Sequence, residues 1–230
     1  MKTVTVRELK DRIRKRTDQE NSAFIDDDEL LEYINSAYAE YYGLITTIYE
    51  QYNVHSSDFT TVADATTYNL PSNFFKLLGV DYQADTDQVT ELERFQFAER
   101  NKQAKTPFDG YRQTNVKYDI LGDAIVFLPV PNAGKKIRLW YIPVAPKLLE
   151  DTQLIDGING YEEMIICEVA MRIMNKQEQD AGPFVAAKQA VMRRIKDEAP
   201  NRDAGRAPRV GDTRGLESYN NYPWFYGRES

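Results

Sequence analysis

The hydrophobic pattern of this chain changes its period twice, and this change constrains the fold more than any other feature of the sequence. Apolar residues recur at helical spacing over residues 27–51, form short alternating runs over residues 58–145, and return to helical spacing from residue 161. A period near 3.6 indicates a helix face, and a period of 2 indicates one face of a strand. The sequence therefore predicts the α+β class: a helical bundle with an inserted antiparallel β domain.

Four segments outside the central region have the helical pattern. VRELKDRIRKR, over residues 6–16, predicts a short amphipathic helix, and the longest apolar stripe predicts a helix over about residues 27–51. YEEMIICEVAMRIMNK is too apolar for a helix with a solvent face, so we expect it to pack on several sides. PFVAAKQAVMRRIKDEA has Pro183 in its first turn, where proline is tolerated, and its pattern stops at Pro200.

The central region predicts strands. FTTVADATTYNLPSNFFKLLGVDYQ indicates two short strands, a turn and a third strand, and VTELERFQFAERN indicates a short helix. Three further strands are predicted over residues 116–121, 124–128 and 137–142.

These elements divide the chain into four parts. The predicted parts are N-terminal bundle helices (1–57), an inserted antiparallel β domain (58–150), C-terminal bundle helices (151–200) and an extended C-terminal tail (201–230). The tail has no regular period, so we expect it to act as a docking segment rather than as a separate folded unit.

Composition limits the classes of function. The net charge is −7 and the pI is about 5.0, and an acidic surface repels nucleic acid and anionic membranes. No apolar run reaches the roughly 18 residues of a membrane span, and the first residues lack an apolar signal core, so we expect neither membrane insertion nor export. A single cysteine excludes an intrachain disulfide and a Cys-based zinc site.

Catalytic signatures are weak. His55, the only histidine, is predicted in a polar loop, and Cys167 lies in an apolar helix where a thiol is a poor nucleophile. PNAGKK lacks the residues of a phosphate loop, and the acidic run over residues 26–28 is interpreted as helix capping rather than metal binding. The sequence predicts no enzyme, cofactor or metal; the alternative is a hydrolase that uses Asp85 and Asp87.

Two basic segments are candidate docking sites in this acidic protein. One is the polar face of the first helix, where the candidate subunit-interface residues are Arg12, Arg14, Lys15 and Arg16; the alternative is a solvated face. The other is the tail, in which four arginines and two aspartates between residues 202 and 214 precede an aromatic cluster. Arginine and aromatic residues often anchor interfaces, so we expect the tail to dock on another chain; the alternative is packing on its own domain.

Five phrases appear in a familiar order. FIDDDELLEYINSAYAEYY follows the first helix, TTYNLPSNFFKLLGVDY contains Y-x-L-P-x-x-F, and YDILGDAIVFLPVP precedes WYIPVAPKLLEDT and GYEEMIICEVAMRIMNKQEQD. Over nearly its whole length the chain resembles the head-to-tail adaptor (connector) proteins of tailed bacteriophages. These phrases contain packing and turn residues, with no catalytic signature.

The resemblance implies a structural virion protein in the head-tail neck, assembled in the host cytoplasm. Its implied partners are the portal protein, a tail or nozzle protein and further copies of itself, in a ring usually of twelve. DNA would pass through the channel without sequence-specific binding. The resemblance assigns portal or neighbour docking to the tail residues Arg206, Arg209, Arg214, Tyr219, Tyr222, Trp224, Phe225 and Tyr226.

The sequence is also compatible with other functions. Within virion proteins, the alternative is another neck or tail component, such as a tail-tube, tail-terminator or head-completion protein. A DNA-binding regulator that uses the basic first helix conflicts with the overall charge.

Overall fold

The computed structural model describes residues 3–20, 24–49, 51–85, 88–104 and 116–198. Within these ranges the chain forms five α-helices and nine β-strands. The helices are α1 (Val6–Arg16), α2 (Asp27–Ile48), α3 (Arg100–Ala104), α4 (Glu163–Lys176) and α5 (Gly182–Glu198). The strands are β1 (Thr3–Thr5), β2 (His55–Thr60), β3 (Thr67–Asn69), β4 (Phe74–Asp85), β5 (Gln88–Glu91), β6 (Lys117–Leu121), β7 (Ala124–Leu128), β8 (Lys136–Pro143) and β9 (Leu154–Asp156).

The helices α1, α2, α4 and α5 share one hydrophobic core. The predicted stripe of α2 is buried from Leu30 to Ile45, and nine of the fourteen residues of α4 are buried, which confirms that α4 packs on several sides. Only Ile195 of α5 is buried, so this helix lies at the edge of the core. The strands β1 and β9 pair antiparallel, and Val4 and Ile155 contribute to the same core.

Helix boundaries follow from local capping. Thr5 and Glu8 form a capping box at the start of α1, in which the Glu8 backbone N–H donates to Thr5 Oγ1 at 3.1 Å. Asp26 caps α2 by accepting from the Glu29 backbone N–H at 2.7 Å. The interpretation of residues 26–28 as helix capping is confirmed for Asp26.

The remaining strands form two antiparallel sheets around a second hydrophobic cluster. One sheet has the order β2-β8-β4-β5 and the other has the order β3-β7-β6. Aromatic rings connect them, since Phe59 of β2 stacks on Tyr68 of β3 with ring centres 4.8 Å apart. Phe127 of β7 belongs to the same cluster as Leu139 of β8. The two sheets therefore pack face to face, and the prediction of mixed α/β structure with antiparallel sheets is confirmed.

Several elements differ from their predictions. The segment predicted as a helix from Val89 begins as strand β5, and only residues 97–104 are helical. Its β-branched residues pair with β4, so strand pairing overrides the local helical pattern. The short strands β1 and β9 were not predicted, and His55 begins β2 instead of lying in a loop. A three-residue strand leaves too little alternation for its period to be recognised.

Gly157 follows β9 at a point of close packing. A Cβ there would lie 2.6 Å from Cγ2 of the buried Val4 and 3.3 Å from Oε2 of Glu162. We expect Gly157→Ala to lower the free energy of unfolding by about 1–3 kcal/mol, because the core must move to admit the methyl group. Urea-induced unfolding followed by circular dichroism measures this loss.

Gly43→Ala is the matched control. Gly43 lies within α2, and a Cβ there meets no described heavy atom within 4 Å. We expect the free energy of unfolding of this variant to rise by about 0.5–1 kcal/mol, because alanine favours the helical state more than glycine does. Equal effects of the two substitutions would contradict the close packing at Gly157.

Candidate interaction surfaces

The basic face of α1 is the first surface predicted for docking. Lys10 Nζ pairs with Asp151 at 2.7 Å, and Arg12 donates to Glu162 at 3.2 Å. Arg16 pairs with Glu163, and this hydrogen bond raises the pKa of the Arg16 guanidinium. These ion pairs connect α1 to the loop after β8 and to the start of α4.

Arg14 connects α1 to the start of α2. Its guanidinium donates to Asp27 at 2.7 Å and to the backbone carbonyl oxygens of Gln19 and Ile25 at 3.4 and 3.2 Å. Lys15 is exposed and makes no ion pair with a described residue. Three of the four candidate interface residues thus have intrachain partners, and the subunit interface stays a prediction.

The open face of the four-stranded sheet was not singled out from the sequence. Strand register aligns Ser56, Trp140 and Gly79 in one row across β2, β8 and β4. The next row extends from β2 to β5 and contains Asp58, Arg138, Asp81 and Glu91. Alternate residues such as Leu139 and Val80 are buried between the sheets, so these two rows point away from the core.

Asp58 organises one side of this open face. It accepts from Arg138 Nε and Nη2 at 2.7 and 3.0 Å, and it pairs with Lys136 Nζ at 2.7 Å. Hydrogen bonds from Arg138 and then Lys136 hold the pKa of the Asp58 carboxyl well below its usual range. Asp58 therefore stays ionised at neutral pH and neutralises much of the positive charge beside it.

Trp140 forms one wall of a groove on the other side of the open face. Its indole N–H donates to Asp81 Oδ2 at 2.6 Å, and the Arg138 guanidinium lies 5.6 Å from the ring centre. The groove has a volume of about 570 Å³. We name it the Trp140 groove; its lining residues are Gln51, Val54, Leu78, Gly79, Asp81, Glu91 and Trp140.

The Trp140 groove has both apolar and acidic lining residues. Asp81 and Glu91 contribute two carboxylates, and the described lining contains no lysine or arginine. Glu91 makes no ion pair within the described residues. Such a surface suits a ligand that brings an apolar or aromatic group together with positive charge.

The other predicted site residues do not assemble into a catalytic centre within the described ranges. Cys167 is buried in α4, as expected, and burial raises the pKa of its thiol to about 11. Asp85 ends β4, and Asp87 lies outside the described residues. No group of three or more His, Cys, Asp and Glu side chains among the described residues could hold a metal ion.

All the predicted docking residues of the tail lie outside the described residues. They are Arg206, Arg209, Arg214, Tyr219, Tyr222, Trp224, Phe225 and Tyr226. Their assignment to docking therefore stays a prediction.

Comparison with known proteins gives one family. A family model described as SU10 adaptor protein matches residues 4–213, which include every described helix and all of the strands except the first residue of β1. The search of curated proteins found no match. Across the described part of the chain, no helix is both long enough and apolar enough to cross a membrane.

Proposed function

The chain belongs to the SU10 adaptor protein family of phage structural adaptors, and from this premise we propose that it forms a ring that joins the portal to the tail. The observation that carries the proposal is the family match over residues 4–213. Because the match includes both hydrophobic clusters, it supports a role for the whole folded unit. The proposed partners are the portal protein, further copies of the chain in a ring of twelve, and a tail or nozzle protein.

The proposed architecture is a helical bundle with an inserted β domain, followed by the docking tail. Two separate hydrophobic clusters support this division: one contains the helices with β1 and β9, and the other contains the two larger sheets. In the proposed ring, the β domain faces the next tail component. The arginines and aromatic residues of the tail then contact the portal or a neighbouring copy.

The proposed channel lets DNA slide without binding to it. A net charge of −7 per copy supports this proposal, because like charges repel and rows of phosphate-binding arginines would slow the DNA. A strongly basic channel wall in an assembled ring would contradict it.

The test is assembly of the full-length protein with purified portal protein. We expect electron microscopy to show a ring bound beneath the portal, and native mass spectrometry to give its number of copies. Absence of portal binding, together with absence of a ring in phage particles, would overturn the proposal. A ring found elsewhere in the neck or tail would instead favour a tail-tube, tail-terminator or head-completion role.

A further inference from the structure

Contacts within the chain position Trp140, one wall of the Trp140 groove. Asp81 holds the indole N–H of Trp140, and Arg138 lies over the indole ring while Asp58 holds Arg138. These contacts fix the plane of the ring. Because the indole is already held in place, the Trp140 side chain loses little further entropy when a partner stacks on it.

Gly79 leaves part of the groove open. Gly79 stands opposite Trp140 in the register of β4 and β8, on the open face of the sheet. A Cβ at this position would meet no described heavy atom within 4 Å, so the space above Gly79 is empty of described atoms. A larger side chain would point into this space and occupy the groove without entering the core.

The chemistry of the groove selects an occupant with aromatic and cationic groups. Trp140 and Leu78 offer surfaces on which an aromatic ring can pack, and the carboxylates of Asp81 and Glu91 can pair with arginine. The chain has a segment of this composition, because residues 206–226 contain Arg206, Arg209 and Arg214 and then the aromatic cluster. We propose that the Trp140 groove receives residues 206–226 of a second copy of this chain.

The described part of α5 ends at Glu198, and the 32 residues after it are enough to reach a neighbouring copy. The last described residue of α5, Glu198, accepts hydrogen bonds from Asn159 and Tyr161 at 2.7 and 2.8 Å, beside the helical core. The groove is lined by residues of β4, β5 and β8 and of the segment between α2 and β2, and its Leu78 packs against the helical cluster. Residues 199–230 can extend on the order of 100 Å. A segment passed from each copy to the next gives a head-to-tail contact that can close into a ring.

This inference rests on the proposed function, since it names the surface that links copies in the ring. It is tested by mixing two full-length variants, one with Gly79→Cys and one with Gly227→Cys, in the presence of the portal protein. Each chain has one introduced thiol, so an introduced disulfide between positions 79 and 227 joins different copies. The buried Cys167, with its raised pKa, reacts slowly and remains in both variants.

The matched control replaces Gly79→Cys by Leu121→Cys, because Leu121 is 41% exposed and lies at the end of β6 in the other sheet. We expect about tenfold more cross-linking from position 79 than from position 121. This ratio corresponds to an anchoring contact that contributes about 1.4 kcal/mol to the binding free energy. Native mass spectrometry of the same mixture reports ring formation separately. A ring with equal cross-linking from both positions would overturn the inference and leave the proposed function standing, whereas loss of both ring and portal binding would overturn both.

A second pair of variants distinguishes occupation of the groove from misfolding. Gly79→Phe fills the groove, while Ser56→Phe adds the same bulk on the opposite side of Trp140. In mixtures of a Gly227→Cys chain with a chain that carries Val54→Cys at a half-buried position of the groove, we expect Gly79→Phe in the second chain to reduce cross-linking about tenfold. We expect Ser56→Phe in that chain to change cross-linking less than about twofold. If Gly79→Phe fails to fold, Glu91→Lys replaces it, because it reverses one charge of the groove. Unchanged cross-linking in Glu91→Lys would overturn the inference.

Discussion

Removal of residues 201–230 is expected to abolish docking on the portal and on neighbouring copies while the folded part of the chain stays intact. Both hydrophobic clusters consist of residues between Val4 and Ile195, so the described core does not depend on the tail. The removed segment contains three arginines and five aromatic residues that we assign to docking. Loss of several such anchors is expected to weaken association by more than about 100-fold.

Co-sedimentation with the portal measures docking, and thermal unfolding measures the integrity of the fold. A full-length control variant replaces Tyr219, Tyr222, Trp224, Phe225 and Tyr226 by serine, and we expect it to reproduce most of the loss. Normal assembly of the truncated protein would exclude the tail as the anchor. A large loss of stability on truncation would instead support the alternative that the tail packs on its own domain.

Phe127→Ala is expected to produce the largest loss of stability among single substitutions in the sheets. Phe127 is 0% exposed, and its ring centre lies 5.7 Å from that of Tyr68 and 6.2 Å from that of Phe59. Truncation leaves a cavity between the two sheets, so we expect the free energy of unfolding to fall by about 3–5 kcal/mol. This is a large part of the 5–15 kcal/mol that is typical of a folded domain.

Urea-induced unfolding measures this loss, and Leu121→Ala is the control. Leu121 ends strand β6 with much of its side chain in solvent. We therefore expect Leu121→Ala to lower the free energy of unfolding by less than about 0.5 kcal/mol. Similar effects of the two substitutions would show that the two sheets do not share a tightly packed core around Phe127.

The candidate sites differ in how far the sequence could predict them. The burial of Cys167 followed from the apolar residues around it in α4, because helical neighbours share one environment. The intrachain partners of Arg12 and Arg16 did not follow, although Glu162 and Glu163 are visible in the sequence. These carboxylates are about 150 residues from α1 and reach it only when α1 packs against α4.

The Trp140 groove shows the same limit. Alternation along β8 could predict that Trp140 and Arg138 share a face, since the period of a strand is local. It could not predict that Gly79 stands opposite Trp140, because β-bulges in β4 shift the register on both sides of Leu77. The groove is a product of that register.

By itself, the sequence determined which segments of this protein are the long helices and the main strands, and that the protein is acidic. Periods of 3.6 and 2 are properties of neighbouring residues, and charge is a property of composition. The tertiary structure alone decided that Val89 extends a sheet, and that Arg12, Arg14 and Arg16 of α1 form intrachain ion pairs. It also decided that an acidic groove opens beside Trp140. Each of these results depends on contacts between residues far apart in the chain, which form only when the elements pack.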